Sequence, residues 1–366
     1  MFSSYSKDDF ERLHKQHNIL VLTGNGFDVA VLNKFGTKNK TTSYEHFFNW
    51  LKNNKKVTNN LLLEQMEQDK KDGKKNWSDF ENTVDVLYSK EEYSVAELEG
   101  CLNEFQGYFT DFLNILVDSK TLLEVNKYVR ENKLTIQSLG CFLKDLPSNS
   151  TKFARNTNHY DLFNFTFANF NYTSLLDNYM YLDKLQFDPH KYKGVDTNFS
   201  FYSNNQRGKS SESVWSSYVL LDVIHPHGVQ DVPRSILFGI DRENYDRGIY
   251  DDKRLVKGYW AQYKVKYEKY LDQADLFIIY GMSLGVSDSW WMDKIFENIL
   301  KNDVELILYH YGTCDEESIK NKFVEGCIRH KNETNENKNI VKSKIYVKTF
   351  EKNNTYFLGF EKYNLV

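Results

Sequence analysis

The sequence predicts an α/β protein with one mainly parallel sheet and flanking helices. Four short apolar runs each end in a polar or glycine-rich segment, which is where the carboxyl ends of parallel strands carry ligand sites. The runs cover residues 19–22, 162–167, 219–224 and 276–279. Helical periodicity fills the long stretch between the first two runs, so the fold class includes a large helical insertion after the first strand.

The domain organisation follows from these elements. Residues 1–40 hold the first strand and a glycine loop, residues 41–150 the helical insertion, and residues 151–366 the remainder of the α/β domain. Inside the insertion, apolar residues at three- and four-residue spacing predict one long amphipathic helix. They are Leu98, Leu102, Phe105, Phe109, Phe112 and Leu116. Hydroxyl-x-x-acid patterns at 42–45 and 78–81 predict two more helix starts.

The second half of the chain predicts further strands. Residues 235–239 form a short apolar run, and residues 304–310 form another behind a helical segment at 287–302. Residues 344–350 and 355–360 are separated by a short polar turn, which predicts a C-terminal hairpin.

Composition narrows the class of protein. The 366 residues are 40% hydrophobic and 16% aromatic, which is enough to bury a sizeable core. With 47 basic and 51 acidic residues the formal net charge is −4, so the chain as a whole does not attract nucleic acid or an anionic membrane. No run reaches the roughly 20 apolar residues of a membrane span. No signal-peptide pattern opens the sequence, so we expect a cytoplasmic protein.

The cysteines are few and dispersed. Cys101, Cys141, Cys314 and Cys327 form no Cys-x-x-Cys pair. This spacing argues against a zinc site or a disulfide framework and fits a reducing compartment. No metal is predicted.

The first strand is followed by Gly24-Asn25-Gly26-Phe27-Asp28. The two glycines permit a tight turn that exposes amide donors at a helix start, where donors and helix dipole stabilise a phosphate. All five residues are therefore candidate nucleotide-binding positions. The dinucleotide fingerprint is incomplete because position 29 is valine, so an ordinary tight turn with Asp28 as a helix cap is an equal alternative.

The next two strand ends carry Asn171 and His227. Asn171 offers a donor and an acceptor that suit a ribose hydroxyl or a water, although asparagine is also a common turn residue. His227 is a candidate general base because the reference pKa of histidine is near neutrality, and Gly228 leaves access to it. A zinc pair with His225 lacks a third ligand of clear spacing, and a structural histidine is the other alternative.

The fourth strand end is Gly281-Met282-Ser283-Leu284-Gly285-Val286-Ser287-Asp288. Its glycine amides and the Ser283 hydroxyl suit a ribose or phosphate, and Leu284 belongs to the same turn. Asp288 either contacts the ligand or caps the following helix. Because all four turns close strands, one nucleotide pocket is expected to hold them.

Taken in order, these segments resemble the AbiH family of bacterial phage abortive-infection proteins. The resemblance rests on residues 24–28, 77–81, 170–173, 227–228, 237–241 and 281–288. A more distant resemblance is to the sirtuin-like form of the Rossmann-like fold, whose members bind NAD. Together they imply an antiphage abortive-infection effector with NAD as substrate or ligand.

The resemblance also implies roles for single residues. Gly24 and Gly26 would lie beside the diphosphate, and Ser283 near the adenosine ribose. Asn171 would lie near the nicotinamide-side ribose and the attacking water, with His227 as base. Thr173 stands where a sirtuin has an acid, and the four-cysteine zinc module of many sirtuins is absent. These departures disfavour a protein deacylase and are compatible with antiviral NAD-consuming proteins.

Three functions follow from this reading. The first is an NAD glycohydrolase, a hydrolase that cleaves the nicotinamide–ribose bond and depletes NAD during infection. The second is a non-catalytic nucleotide-binding sensor or switch. The third, a toxin acting on nucleic acid, is disfavoured because the sequence shows neither an acidic metal cluster nor a concentrated basic face. The expected partners are a nucleotide and a phage-derived trigger, with no membrane, and a homo-oligomer is left open.

Overall fold

The computed structural model describes residues 1–36, 41–55, 57, 59–90, 92–183, 195–205, 213–240, 250–284, 288–352 and 354–363. These residues contain seven strands: β1 (Gln16–Thr23), β2 (Leu162–Asn169), β3 (Phe199–Tyr202), β4 (Val214–Ile224), β5 (Leu276–Tyr280), β6 (Glu305–Tyr311) and β7 (Ile345–Phe350). They form one sheet in the order β3-β4-β2-β1-β5-β6-β7. Every neighbouring pair is parallel except β3 with β4. The predicted mainly parallel sheet is therefore confirmed.

The strand order fixes where a ligand crevice can open. The chain moves outward from β1 through β2 to β4 and then returns to place β5 on the other side of β1. This is the order of a doubly wound sheet, in which ligands bind outside the carboxyl ends of the strands at the point of reversal. The reversal lies at β1.

The strand register brings four carboxyl ends to one level. Thr23 at the end of β1 lies opposite Asn169 of β2 and Tyr280 of β5. Ala168 of β2 lies opposite Ile224, the last residue of β4. The loops that follow these strands consequently leave the sheet side by side.

The helices lie on both faces of the sheet. Before β2 come α1 (Gly26–Phe35), α2 (Tyr44–Asn54), α3 (Leu61–Lys71), α4 (Phe80–Ser89), α5 (Val95–Leu116), α6 (Ser119–Asn132), α7 (Leu134–Cys141) and α8 (Lys152–Arg155). After β2 come α9 (Leu175–Met180), α10 (Lys257–Trp260), α11 (Tyr263–Lys266), α12 (Glu268–Asp272), α13 (Ser289–Asn302), α14 (Glu316–Gly326) and α15 (Asn335–Ser343). No helix within these ranges has both the length and the apolar content to cross a membrane.

Period-two alternation along the strands divides the core between the two faces of the sheet. Ile19 and Val21 point into a cluster shared with α1 to α7 and α9, whereas Leu20 and Leu22 point into a second cluster built on α13, α14 and α15. The six apolar residues of the predicted amphipathic helix are all buried in α5. Phe109 of this helix contacts Tyr172 beyond β2 edge to face, with ring centroids 5.3 Å apart.

The two predicted helix starts are confirmed, with different caps at each. Ser43 rather than Thr42 caps α2 by accepting from the His46 amide. Asp79 rather than Ser78 caps α4 by accepting from the Asn82 amide. Glu81, the expected capping acid, therefore has its carboxylate available for another contact.

Residues 235–239 do not form the predicted strand. Their backbone groups are used by neighbouring loops and side chains: the Leu237 amide donates to the His227 carbonyl, the Gly239 amide donates to Glu81, and the Ile236 carbonyl accepts from Gln106. A sheet partner would have to compete with all three bonds. The segment instead ends in a single bridge between Ile240 and Val256.

The predicted C-terminal hairpin is wrong, because β7 pairs in parallel with β6 and residues 355–360 form turns. Side chains from the helix-rich segment before β2 bind the backbone of these turns. The amides of Tyr356 and Phe357 donate to the Asp145 carboxylate, and the Leu358 amide donates to the Ser138 hydroxyl. A strand partner is not needed where side chains satisfy the backbone.

Candidate functional site

A cavity of about 650 Å³ opens at the carboxyl ends of β1, β2 and β5, at the reversal point of the sheet. Residues from all four strand-end segments line it, and α2, α4 and α5 supply a further wall. The predicted site residues in the lining are Gly24, Asn25, Gly26, Asp28, Asn171, His227, Gly281, Ser283 and Asp288. The structure thus brings together nine positions that are spread over more than two thirds of the sequence.

Three predicted positions lie elsewhere. Phe27 is fully buried and packs on Tyr179 and Phe360, and Leu284 is buried in the core cluster of α13 and α14. Gly228 does not open access to His227, because a Cβ there would lie 2.0 Å from the Ser235 carbonyl oxygen. These three residues belong to the turns around the cavity but do not line it. Gly285, Val286, Ser287 and Asp241 lie outside the described residues.

The two glycines of the first loop are needed for contact between loops. The Gly24 amide donates to the Tyr280 carbonyl at 2.9 Å, and the Gly26 amide donates to the Gly281 carbonyl at 2.8 Å. A Cβ at Gly26 would lie 2.7 Å from the Gly281 Cα. Gly281 itself has φ +68°, a conformation that favours glycine. Both amides thus have protein acceptors, and a diphosphate beside these two glycines stays a prediction.

Asp28 does not cap its helix. Its carboxylate is fully buried and accepts from Asn171 Nδ2 at 2.9 Å and from the Thr173 hydroxyl at 2.7 Å. Burial raises the pKa of Asp28 to about 7, although the hydrogen bonds from Thr173 and Asn171 oppose that rise. The bonds tie the first turn of α1 to the loop after β2.

Asn171 is held in one orientation by its amide protons. Nδ2 donates to Asp28 and also to the Gly24 carbonyl at 3.1 Å, so both of its protons are used. The side-chain oxygen then lacks a hydrogen-bond donor among the residues that the structure describes. Because Asn171 lines the cavity, this oxygen is a fixed acceptor for a ligand hydroxyl or a water.

His227 is buried between aromatic rings. Its Nε2 lies 2.7 Å from the Tyr263 hydroxyl and 3.5 Å from Asp288 Oδ1, and its ring meets Phe170 edge to face at 5.1 Å. Burial, with a smaller effect from the charge of Lys257, holds the pKa of His227 well below its usual value. The imidazole is therefore neutral at pH 7 and has a ring nitrogen that can accept a proton.

Asp288 sits directly before α13, but its side chain does not cap that helix. It lies beside His227 instead, and its charge acts on Lys257, Glu81 and Tyr172. The sequence allowed two roles for Asp288, ligand contact or helix cap, and the helix cap is not formed. Its carboxylate belongs to the polar lining of the cavity.

A buried ion pair in the cavity was missed by sequence reasoning. Lys257 Nζ lies 3.1 Å from Glu81 Oε2, and their side chains are 2% and 9% exposed. Burial raises the pKa of Glu81 to about 7, against the lowering effect of Lys257. For Lys257, burial lowers the pKa, but the carboxylates of Glu81 and Asp288 outweigh it and hold the pKa well above its usual value. Glu81 lies in one of the segments that resemble AbiH proteins, whereas no sequence signal marks Lys257.

The buried carboxyl of Asp28 predicts a pH dependence of stability. Its folded pKa of about 7 exceeds the usual 3.8, so between these values the folded state holds a proton that the unfolded state has lost. Asp28 therefore lowers the free energy of unfolding as pH rises from about 4 to about 7. As pH rises from 5 to 8, the free energy of unfolding of Asp28→Asn should rise by about 2–3 kcal/mol relative to that of wild type, measured by urea unfolding.

An exposed helix cap provides the matched control. Hydrogen bonds from Thr121 lower the pKa of Asp118, so this carboxyl is ionised in both states at pH 5 and at pH 8. Asp118→Asn should change the free energy of unfolding equally at the two pH values. If Asp28→Asn also changes the free energy of unfolding equally at the two pH values, the pKa of Asp28 is not raised.

Fold and site together define the class: a Rossmann-like α/β protein with a cavity at the reversal point of its sheet. A comparison with protein families then gives its relationship. The family described as bacteriophage abortive infection AbiH matches residues 20–310, and the chain belongs to this family. Membership implies a role in phage abortive infection. A comparison with curated proteins gives no match to this chain.

Proposed function

We propose that this AbiH protein is an NAD glycohydrolase that depletes NAD during phage infection. The observation that carries the proposal is the fixed Asn171 amide. Its two protons are bound to Asp28 and the Gly24 carbonyl, its oxygen remains for a ligand, and His227 lines the same cavity. Such a preoriented acceptor suits a ribose hydroxyl and the water that attacks beside it.

The charge of the cavity supports a ligand with a cationic group. Five carboxylates and two lysines line it: Asp28, Glu45, Asp79, Glu81 and Asp288 against Lys257 and Lys322. Even if Asp28 and Glu81 are only half ionised near pH 7, the carboxylate charge exceeds the ammonium charge. The nicotinamide ring of NAD is cationic, and so is the ribose left when that ring departs, whereas its diphosphate is anionic, so this charge argument applies to the nicotinamide end of NAD alone. A cavity of about 650 Å³ is also within the range of cofactor sites.

The proposed reaction breaks the bond between the ribose C1′ and the nicotinamide nitrogen. The bonding electrons leave with nicotinamide, which departs neutral and needs no proton, and the ribose becomes an oxocarbenium ion. Water adds to C1′ and loses a proton to give ADP-ribose. Asn171 would hold the ribose hydroxyl or the water, and His227 would take the proton.

The low basicity of His227 fits this order of events. A weak base activates a poor nucleophile only slightly, but an oxocarbenium ion is electrophilic enough to react with neutral water. We therefore expect His227 to contribute about 10²-fold, at the lower end of the usual range for base catalysis. A sirtuin has an acid two residues after the motif asparagine, where this chain has Thr173. Here Asp28, which accepts hydrogen bonds from both Asn171 and Thr173, would supply that carboxylate.

A second candidate function, a nucleotide-binding sensor without turnover, is favoured by one observation. Burial holds the pKa of His227 well below its usual value, which makes His227 a weak base. A site with this structure could hold a nucleotide and respond to it without chemistry.

Chromatography distinguishes the two functions. The purified chain is incubated with NAD, NADP, ATP, GTP and ADP-ribose, with and without an extract of phage-infected cells as the source of trigger. The proposal predicts that NAD alone is converted, with nicotinamide and ADP-ribose formed in equal amounts. NAD that binds but stays intact under both conditions would replace the enzyme by the sensor.

A further inference from the structure

Lys257 brings donors to the cavity that the protein does not use. Its side chain is 2% exposed, and within the described ranges its ammonium has one hydrogen-bond acceptor, Glu81 Oε2 at 3.1 Å. An ammonium carries three N–H donors. Two donors of a buried cation are thus left for a group inside the cavity that Lys257 lines.

The partner of Lys257 cannot satisfy them. Glu81 Oε2 also accepts from the Tyr44 hydroxyl at 3.3 Å, and Oε1 accepts from the Gly239 amide at 3.2 Å. The carboxylate is therefore fixed from three directions, and rotating it toward the ammonium would break other bonds. Buried donors without an acceptor are costly, so an oxygen from a ligand would stabilise this arrangement.

The surrounding charge selects the kind of oxygen. Glu81 and Asp288 both act on Lys257, so two carboxylates offset one ammonium. A phosphate would bring further negative charge next to these carboxylates. A neutral acceptor, such as a carboxamide or a ribose hydroxyl, takes the two donors without that repulsion.

We propose that Lys257 anchors the ligand of the cavity by donating to a neutral oxygen, either the carboxamide or a ribose hydroxyl of NAD. This inference rests on the proposed function, because it takes NAD as the ligand. Lys257 is assigned to binding and has no part in the bond-breaking step.

The test compares binding in three variants by calorimetry, with NAD and ADP-ribose as probes. Lys257→Met alone would leave Glu81 buried without its cation, so the informative variant is Lys257→Met with Glu81→Gln, which removes both charges together. Glu81→Gln alone keeps the ammonium. The matched control, Lys342→Met with Glu317→Gln, removes an ion pair of 3.0 Å outside the cavity.

We expect the Lys257→Met/Glu81→Gln variant to bind NAD about 10- to 100-fold more weakly than Glu81→Gln alone, as for the loss of hydrogen bonds from a charged donor. ADP-ribose binding falls equally if the contact is to the ribose, and is unchanged if the contact is to the carboxamide. The Lys342→Met/Glu317→Gln control binds as wild type does. Urea unfolding checks that every variant is folded.

Two results would overturn the inference. Equal NAD affinity in Glu81→Gln and in the double variant would remove Lys257 from the ligand site. A tenfold gain in ADP-ribose affinity in Glu81→Gln would show that the acceptor is a phosphate. Wild-type protein that binds neither probe would instead refute the proposed function, on which the role of Lys257 depends.

Discussion

Replacing Asn171 by alanine is expected to lower NAD turnover by at least about 100-fold, because the residue would position the ribose and the attacking water. The change also removes one of the two side-chain donors to Asp28. Some loss of stability must therefore accompany it. Single-turnover measurements of nicotinamide release, together with NAD binding, separate the two effects, since a residue that acts in the transition state lowers turnover more than affinity.

Thr173→Val supplies a control matched in its structural effect. It removes the other side-chain donor to Asp28, at 2.7 Å, but leaves the Asn171 oxygen in the cavity. Each variant deprives the same buried carboxylate of one bond and loses one further bond, to the Gly24 carbonyl in Asn171→Ala and from the Leu175 amide in Thr173→Val, so similar losses in melting temperature are expected. Turnover should fall much further in Asn171→Ala than in Thr173→Val. If the two variants lose turnover equally, Asn171 acts only by supporting the fold.

His227→Ala tests the other half of the site. A neutral imidazole that takes a proton late in the reaction should contribute about 10²-fold. Fully active His227→Ala would remove His227 from the chemistry, although the reaction class would survive.

The second large effect is expected for Gly26→Val. A Cβ at this position would lie 2.7 Å from the Gly281 Cα and 3.0 Å from its carbonyl oxygen, which accepts the Gly26 amide. The two loops would have to separate, at a cost of about 1–3 kcal/mol or more in the free energy of unfolding. Stability and NAD binding should therefore fall together.

Gly107→Ala is the opposite case and serves as the control. Gly107 lies within α5, and a Cβ there would meet nothing within 4 Å. This substitution should raise the free energy of unfolding by about 0.5–1 kcal/mol, as expected for a helical glycine. Urea denaturation of both variants checks the contrast. A Gly26→Val protein of wild-type stability would show that the loops do not need this close contact.

The parts of the fold that sequence reasoning recovered are those with a strong local signal. The apolar runs that became β1, β2 and β5 are buried on both faces, the run that became β4 is partly exposed, and the residues after all four meet because parallel strands in register end at one level. The apolar residues at three- and four-residue spacing in α5 gave an equally strong local signal. The position of the cavity and nine of its lining residues were predictable for this reason.

The remaining features depend on contacts between distant segments. Lys257 carries no motif, and only the fold places it beside Glu81, 176 residues away. Residues 355–360 have the composition of a strand, but Asp145 and Ser138 bind their amides. Leu284 was grouped with its polar neighbours, although its side chain turns into the core. In each case a tertiary contact overrides a local pattern, and one sequence alone does not contain it.

Whether this AbiH protein cleaves NAD during infection is measured in the NAD pool of infected cells. Bacteria expressing wild-type protein or Asn171→Ala at equal levels are infected with a phage that the wild type blocks, and NAD, nicotinamide and ADP-ribose are followed by chromatography. If the protein is an NAD glycohydrolase, NAD falls and both products rise before the cells die, in wild type only. Protection from phage with an unchanged NAD pool would contradict it.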